Sequence, residues 1–167
     1  MYFYRKNIFN MNNPVLANKV VKKLINLELM LTTAESCTGG KIASTIIDIP
    51  GSSKIFDRGF ITYHDNSKIE ILDIPKELIE INGAVSKEVA ISMALGALNK
   101  SNASISISCT GIAGPSGGTK LKPVGLVFIA LVYKNNKICI KKNFGNVGRS
   151  LIRELTTQSA LRLIIDI

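Results

Sequence analysis

Tryptophan is absent from the 167 residues, aromatic residues make up only 6%, and histidine occurs once, as His64. A single histidine excludes a metal centre built from several imidazoles, and it leaves a Ser-His-Asp triad only one candidate base. Cysteine is also sparse: Cys37, Cys109 and Cys139 lie far apart and form no CxxC or Cys/His ligand spacing. An odd number of scattered thiols with no export signal points to reduced cysteines in a cytoplasmic protein, not to a disulfide framework. No apolar run reaches the roughly 18 residues needed to span a bilayer, so no membrane partner is expected. Met1 to Asn10 mixes basic and aromatic residues without an apolar signal core or a small-residue cleavage site. With Met11 following at once, residues 1–12 are expected to form a loose extension and 13–167 a single domain.

What is abundant points to a globular chain: 46% of residues are hydrophobic and 20% charged. The net charge of +9 invites a nucleic-acid reading. Lysine and arginine are dispersed, however, with only short pairs such as Lys22-Lys23 and Lys141-Lys142 and no interleaved aromatic stripe. Such dispersal marks a solvated surface that attracts small anions, and no nucleic-acid partner is expected.

Helix and strand patterns alternate along the chain. Residues 14–27 carry Val15, Leu16, Val20, Val21, Leu24 and Ile25 at helical spacing, with Asn13 and Pro14 as cap and first helical residue. Leu29 to Thr33 predicts a short strand, and Lys41 to Ile47 a helix that stops near Pro50-Gly51. Phe60 to Tyr63 predicts a strand, and Ser67 to Leu72 a short helix. Ser86 caps a helix running to about Lys100. Ile105 to Cys109 is a β-branched strand that leads into a Gly/Pro-rich loop over 110–119. Val124 to Tyr133 and Lys137 to Phe144 predict a hairpin about Lys134-Asn135-Asn136, and Arg149 to Ile164 a closing helix. This order predicts an α/β fold with a mixed sheet flanked by helices.

Three stretches could carry chemistry. In Thr33-Ala-Glu-Ser-Cys-Thr-Gly-Gly40 a strand ends, small polar residues follow and a helix begins. That geometry exposes a hydroxyl at a strand tip and aims open helix N–H groups at a phosphate or an oxyanion beside Ser36. Ser36 or Thr38 could equally cap the next helix, and Cys37 is a second candidate nucleophile. In Tyr63-His-Asp-Asn-Ser-Lys68, Lys68 could activate a serine that has no histidine partner, with Tyr63 as relay and His64 as the other base. A lysine on a short helix is also, more plainly, a surface residue. The run Cys109-Thr-Gly-Ile-Ala-Gly-Pro-Ser-Gly-Gly-Thr119 allows close approach of backbone to a ligand but has neither P-loop nor dinucleotide-fold spacing. Arg149, opening the last helix, could grip a phosphate.

Six runs, in order, carry a resemblance: Thr33-Ala-Glu-Ser-Cys-Thr-Gly-Gly40, Ile49-Pro-Gly-Ser-Ser53, Phe56-Asp-Arg-Gly-Phe-Ile-Thr-Tyr63, Gly83-Ala-Val-Ser-Lys-Glu-Val89, Thr110-Gly-Ile-Ala-Gly-Pro115 and Lys122-Pro-Val-Gly125. The chain resembles the CinA C-terminal domain family over roughly residues 14–165. The resemblance implies a three-layer α/β/α sandwich, a homo-oligomer, and hydrolysis of nicotinamide mononucleotide (NMN) to nicotinic acid mononucleotide and ammonia. It implies Ser36 as nucleophile, Lys68 as general base and Tyr63 as assisting hydroxyl, with Thr38, Gly39, Gly40, Thr110, Gly111 and Arg149 binding substrate. It implies no metal or other cofactor. Larger family members carry a pyrophosphatase-like N-terminal domain, so a stand-alone form implies the amidohydrolase function alone. Relatives without turnover imply an alternative, a silent nucleotide-binding or competence-associated protein. Two positions depart from the family pattern. Asp65 stands where Tyr-x-Asn-x-x-Lys has asparagine, and Gly-x-Arg is stretched to Gly145-Asn-Val-Gly-Arg149, which leaves Arg153 as the other candidate arginine.

Overall fold

The computed structural model describes residues 12–167. Of the expected extension over 1–12, only Asn12 falls within the described residues, and its side chain accepts the Val15 N–H at 3.3 Å. Asn12, not Asn13, therefore caps the first helix, α1 (Asn13–Asn26). Asn13 is instead buried, and its amide donates to the Glu154 side chain.

The elements follow in the order β1 (Leu31–Glu35), α2 (Lys41–Ile47), a 3-10 turn (Ser52–Lys54), β2 (Phe56–Ile61), α3 (Asp65–Leu72), α4 (Lys76–Asn82), α5 (Lys87–Asn99), β3 (Ile105–Gly111), β4 (Leu126–Tyr133), β5 (Asn136–Asn143) and α6 (Arg149–Ile165). The sheet order is β2-β1-β3-β4-β5. β1 runs parallel to β2 and β3, whereas β4 and β5 pair antiparallel, so the sheet is mixed as expected. Helices α1, α2 and α6 cover one face and α3, α4 and α5 the other, giving the three-layer sandwich.

β3 shows how the period of two builds both layers. Ile105, Ile107 and Cys109 join the core beneath α1 and α6, together with Leu16, Leu24, Val127, Ile129 and Leu161. The alternate residues Ser106 and Ser108 donate to the carbonyls of Ala94 and Ala90 in α5, at 2.7 and 2.6 Å. Buried hydroxyls on that face thus find acceptors in the helix that covers it.

Several boundaries differ from the expectation. β1 lies two residues later than Leu29–Thr33, because Ala34 and the buried Glu35 belong to the strand despite the charge of the latter. β2 starts at Phe56 instead of Phe60; it is an edge strand, so Asp57 and Arg58 can face solvent within it. α3 starts at Asp65, two residues before Ser67, because the His64 side chain caps it. The hairpin turn is Lys134-Asn135, since Asn136 already pairs with Tyr133. α4 has no counterpart in the sequence reading.

β1 is the strand from which the chain departs in both directions, to β2 on one side and β3 on the other. In open α/β sheets the crevice at the carboxyl ends of such strands is the usual ligand site. Ser36 follows β1, Tyr63 follows β2, and Thr110 lies at the end of β3.

Candidate active site

The chain leaves the sheet at Ser36, whose N–H donates to the Cys109 carbonyl at 3.1 Å. It then turns tightly: the Gly39 N–H donates to the Ser36 carbonyl at 3.1 Å. Gly39 and Gly40 take φ of 61° and 89°, in the left-handed region that residues with a Cβ rarely enter. The expectation that the first N–H groups of α2 stand open holds for Lys41 and is corrected for the two residues after it. The Ile42 and Ala43 N–H groups donate to the Glu35 carboxyl at 3.0 and 2.8 Å, and the Thr38 hydroxyl donates to it at 2.6 Å. Among the described residues, the Cys37, Thr38, Gly40 and Lys41 N–H groups have no partner. The open N–H groups therefore run from the turn to the first residue of the helix.

Tyr63 and Lys68 sit across β2 and α3. The Lys68 side chain is 1% exposed, and its Nζ donates to the Tyr63 carbonyl at 3.3 Å and to Asp65 Oδ1 at 3.2 Å. Two of the three free positions on that nitrogen are thus taken and one is open. Lys68 is not the surface lysine that its short helix suggested. His64 is occupied as the cap of α3, with Nδ1 accepting the Asn66 N–H at 3.3 Å.

From the other side, Thr110 donates to the Ala84 carbonyl at 2.9 Å and so tethers the segment before α5 to the end of β3. Arg149 donates through one terminal nitrogen to the Gly114 carbonyl at 2.9 Å and through the other to the Tyr63 hydroxyl at 2.8 Å. Arg153 reaches a different place, donating to the Thr38 carbonyl at 2.6 Å.

These groups enclose a cavity of about 230 Å³ lined by Ser36, Cys37, Tyr63, Asp65, Lys68, Ala84, Val85, Thr110, Gly111, Ala113 and Arg149. Ser36, Tyr63, Lys68, Thr110, Gly111 and Arg149, drawn from four separate stretches of sequence, thus meet at one site. Thr38, Gly39 and Gly40 do not line it; Thr38 is buried with its hydroxyl on Glu35. Of the two arginines, Arg149 lines the cavity and Arg153 braces the turn. The Ser36 hydroxyl has no hydrogen-bond partner among the described residues, so it caps nothing. Cys37 is on the wall, and its hydrogen bond to Cys109, with burial added, pushes the Cys109 thiol well above its ordinary range. The Glu35 role was missed in the sequence; the one available signal was a carboxylate inside an otherwise uncharged strand. Ala84 and Val85 gave no signal beyond their place in a motif.

The described residues contain no group of three or more His, Cys, Asp or Glu that could hold a metal ion. No helix among them is long and apolar enough to cross a membrane.

An α/β sandwich with a serine turn and a buried lysine at the sheet's switch point defines the class. Within that class, the CinA C-terminal domain model matches residues 13–167. The chain belongs to the CinA C-terminal domain family. A protein of Caldicellulosiruptor bescii named competence-damage inducible is 40% identical over 157 residues, covering 94% of this chain and 38% of that protein. A like-named protein of Clostridioides difficile is 46% identical over 146 residues, covering 87% of this chain and 35% of that one. The chain therefore spans under two-fifths of the length of these curated relatives. Among solved structures, the competence/damage inducible protein CihA of Agrobacterium tumefaciens superposes with a TM-score of 0.90 at 42% identity, covering 92% of this chain and 94% of that one. A CinA superfamily protein of Escherichia coli superposes with a TM-score of 0.87 at 35% identity, covering 91% and 88%.

Proposed function

We propose that this chain hydrolyses the carboxamide of nicotinamide mononucleotide to nicotinic acid mononucleotide and ammonia. The observation that carries the reading is the convergence of an unpartnered Ser36 hydroxyl, a buried Lys68 amine with one open position, and Arg149 on one cavity. A neutral amine has two N–H groups and a lone pair. Its two hydrogen bonds, to Tyr63 and Asp65, use the hydrogens and leave the lone pair for the Ser36 proton. Ser36 Oγ then bonds to the carboxamide carbon, and the oxygen of the tetrahedral adduct is held by the Cys37 N–H on the cavity wall. The ammonium of Lys68 returns its proton to the departing nitrogen, which leaves as ammonia. Water, activated by the same amine, cleaves the acyl-enzyme and releases the carboxylate.

At about 230 Å³ the cavity is smaller than the roughly 300–1,000 Å³ of sites that enclose a whole ligand. It suits the pyridine ring and its amide, with ribose and phosphate towards the mouth. Arginine carries five N–H donors, and Arg149 uses two on Gly114 and Tyr63, so donors remain for the phosphate. One observation favours the alternative of a silent nucleotide binder: the Asp65 carboxylate against Lys68, an arrangement that stabilises a charged amine.

The test is to incubate the purified protein with NMN and measure ammonia and nicotinic acid mononucleotide. Turnover that disappears in Ser36→Ala supports the reading. NMN binding without turnover establishes the alternative, and full turnover in Ser36→Ala removes Ser36 as nucleophile in favour of Cys37.

A further inference from the structure

Two side chains that carry charge in water are almost wholly buried among the described residues: Lys68, at 1% exposed, and Glu35, at 0%. The mechanism uses the first and leaves the second unexplained. No ion pair among the described residues holds Glu35. Its carboxyl is compensated by neutral donors alone: the Thr38 hydroxyl and the Ile42 N–H on Oε2, and the Ala43 N–H on Oε1.

Burying a carboxyl is costly, and a helix as short as α2 does not require it. A serine or aspartate at the position before α2 would cap it locally. That position is Gly40, which has no side chain and lies in the left-handed region. The cap comes instead from the last residue of β1, across the turn that contains Ser36. The carboxyl thus ties the start of α2 back to the end of the strand, with the whole of 36–40 clasped between. The turn is held from two other directions, because Arg153 donates to the Thr38 carbonyl and Thr62 N–H donates to the Glu35 carbonyl at 2.9 Å. With the Thr38 side chain drawn inward, the Cys37 N–H, on the cavity wall, is left without an internal partner. It is the donor that the mechanism needs.

We propose that Glu35 is a positioning residue for Ser36: its carboxyl clasps Thr38, Ile42 and Ala43, and so holds the 36–40 turn in the shape that presents the hydroxyl and leaves the Cys37 N–H for the oxyanion. The inference rests on the reading of Ser36 as nucleophile, but not on which amide is the substrate. It makes a sharp chemical demand. Three donors converge on Glu35 and no acceptor does, so an amide in its place turns its NH₂ group towards a donor whichever way it flips.

The test compares wild type with Glu35→Gln, Thr38→Val and Thr38→Ser. It measures the rate at which a fluorophosphonate labels Ser36, kcat and KM for NMN, and Tm. Since misplacing reacting groups by about 1 Å costs about 100-fold, Glu35→Gln is expected to slow labelling and kcat by about 10- to 100-fold with KM changed less than about threefold. Thr38→Val, which removes one of the three contacts, should slow both by a smaller factor, and Thr38→Ser should restore them. Labelling and kcat at wild-type levels in a folded Glu35→Gln overturn the proposal, as does a change in KM alone. If Glu35→Gln does not fold, Thr38→Val decides by the same measures. Wild-type Ser36 that resists labelling overturns it too. Labelling that depends on Glu35 in a protein that leaves NMN intact supports the positioning role and sinks the NMN reading.

Discussion

Replacing Lys68 with methionine separates what this residue does for catalysis from what it does for the fold. Methionine keeps the unbranched stem that fills the buried space and removes only the amine. Nζ makes two hydrogen bonds, to the Tyr63 carbonyl at 3.3 Å and to Asp65 at 3.2 Å. At about 1 kcal/mol net each, their loss costs about 2 kcal/mol. Against this stands relief of the cost of burying the amine with a bonding position unfilled, about 1–3 kcal/mol for a neutral polar group. Asp65, half exposed, regains water when its partner goes, so no orphaned charge is left behind. The net expectation for Lys68→Met is a stability change within about 1 kcal/mol of zero, or within about 4 °C in Tm for a domain of this size. Catalysis should suffer far more. Loss of a general base costs about 10²- to 10⁴-fold in kcat, or about 2.7 to 5.4 kcal/mol of transition-state stabilisation. Thermal unfolding and ammonia release from NMN, measured on the same preparation, check both numbers. A variant that loses more than about 2 kcal/mol of stability makes Lys68 a structural residue. Turnover within threefold of wild type means it is not the base.

Arg149→Ala should raise KM for NMN by about 10-fold or more with a smaller change in kcat. The effect should largely vanish with the riboside that lacks the phosphate; an equal effect on both substrates refutes the phosphate contact. Gly96→Ala should destabilise by about 1–3 kcal/mol, the usual range for overpacking, because its Cβ falls 2.2 Å from the Leu72 carbonyl oxygen where α5 meets α3. An unchanged Tm refutes that contact. Stability should also fall in alkali through Cys109, whose thiol is raised above its ordinary 9.0 in the fold by the Cys37 hydrogen bond and by burial. The unfolded chain then loses the proton first, so stability is undiminished below pH 9.0 and is lost as pH rises towards the raised folded value. Chemical unfolding between pH 8 and 10.5 should show Cys109→Ala with a shallower decline than wild type, and parallel curves refute the assignment.

Elements were legible in the sequence where burial and polarity agree. α1 shows its buried stripe of Leu16, Val20 and Leu24, and β3 its β-branched run. They were misplaced where the two disagree. β2 hides Asp57 and Arg58 inside an edge strand, and β1 hides Glu35 inside a buried one, with partners that only the folded chain supplies. α4 escaped because it is seven residues long and starts immediately after Pro75, where a turn is the simpler expectation. At the site, Ser36, Tyr63 and Thr110 were legible through motif order, since each motif carries its residue to the same end of the sheet, and Lys68 through its spacing from Tyr63. The choice between Arg149 and Arg153 was not, because four residues is one helical turn and both side chains leave the same face of α6. Glu35 was unreadable for a different reason: its donors lie three, seven and eight residues onward, around a turn whose path the sequence does not state.

The two buried ionisable groups flanking Ser36 should respond to substitution unequally. Glu35 is satisfied by three donors, so any replacement leaves some of them without an acceptor, and unmet buried donors cost about 1–3 kcal/mol each. Lys68 keeps one nitrogen position empty, so what its removal orphans is offset by what it relieves. A side chain kept only for the fold has no reason to be buried with a bonding position unfilled; one kept to take a proton from a substrate-bound serine must be. Glu35→Gln lowering Tm while Lys68→Met holds or raises it, with both losing turnover, is the pattern of a clasp beside a base. If both variants lose stability alike, the cavity is a polar joint between layers and the catalytic assignment of Lys68 falls.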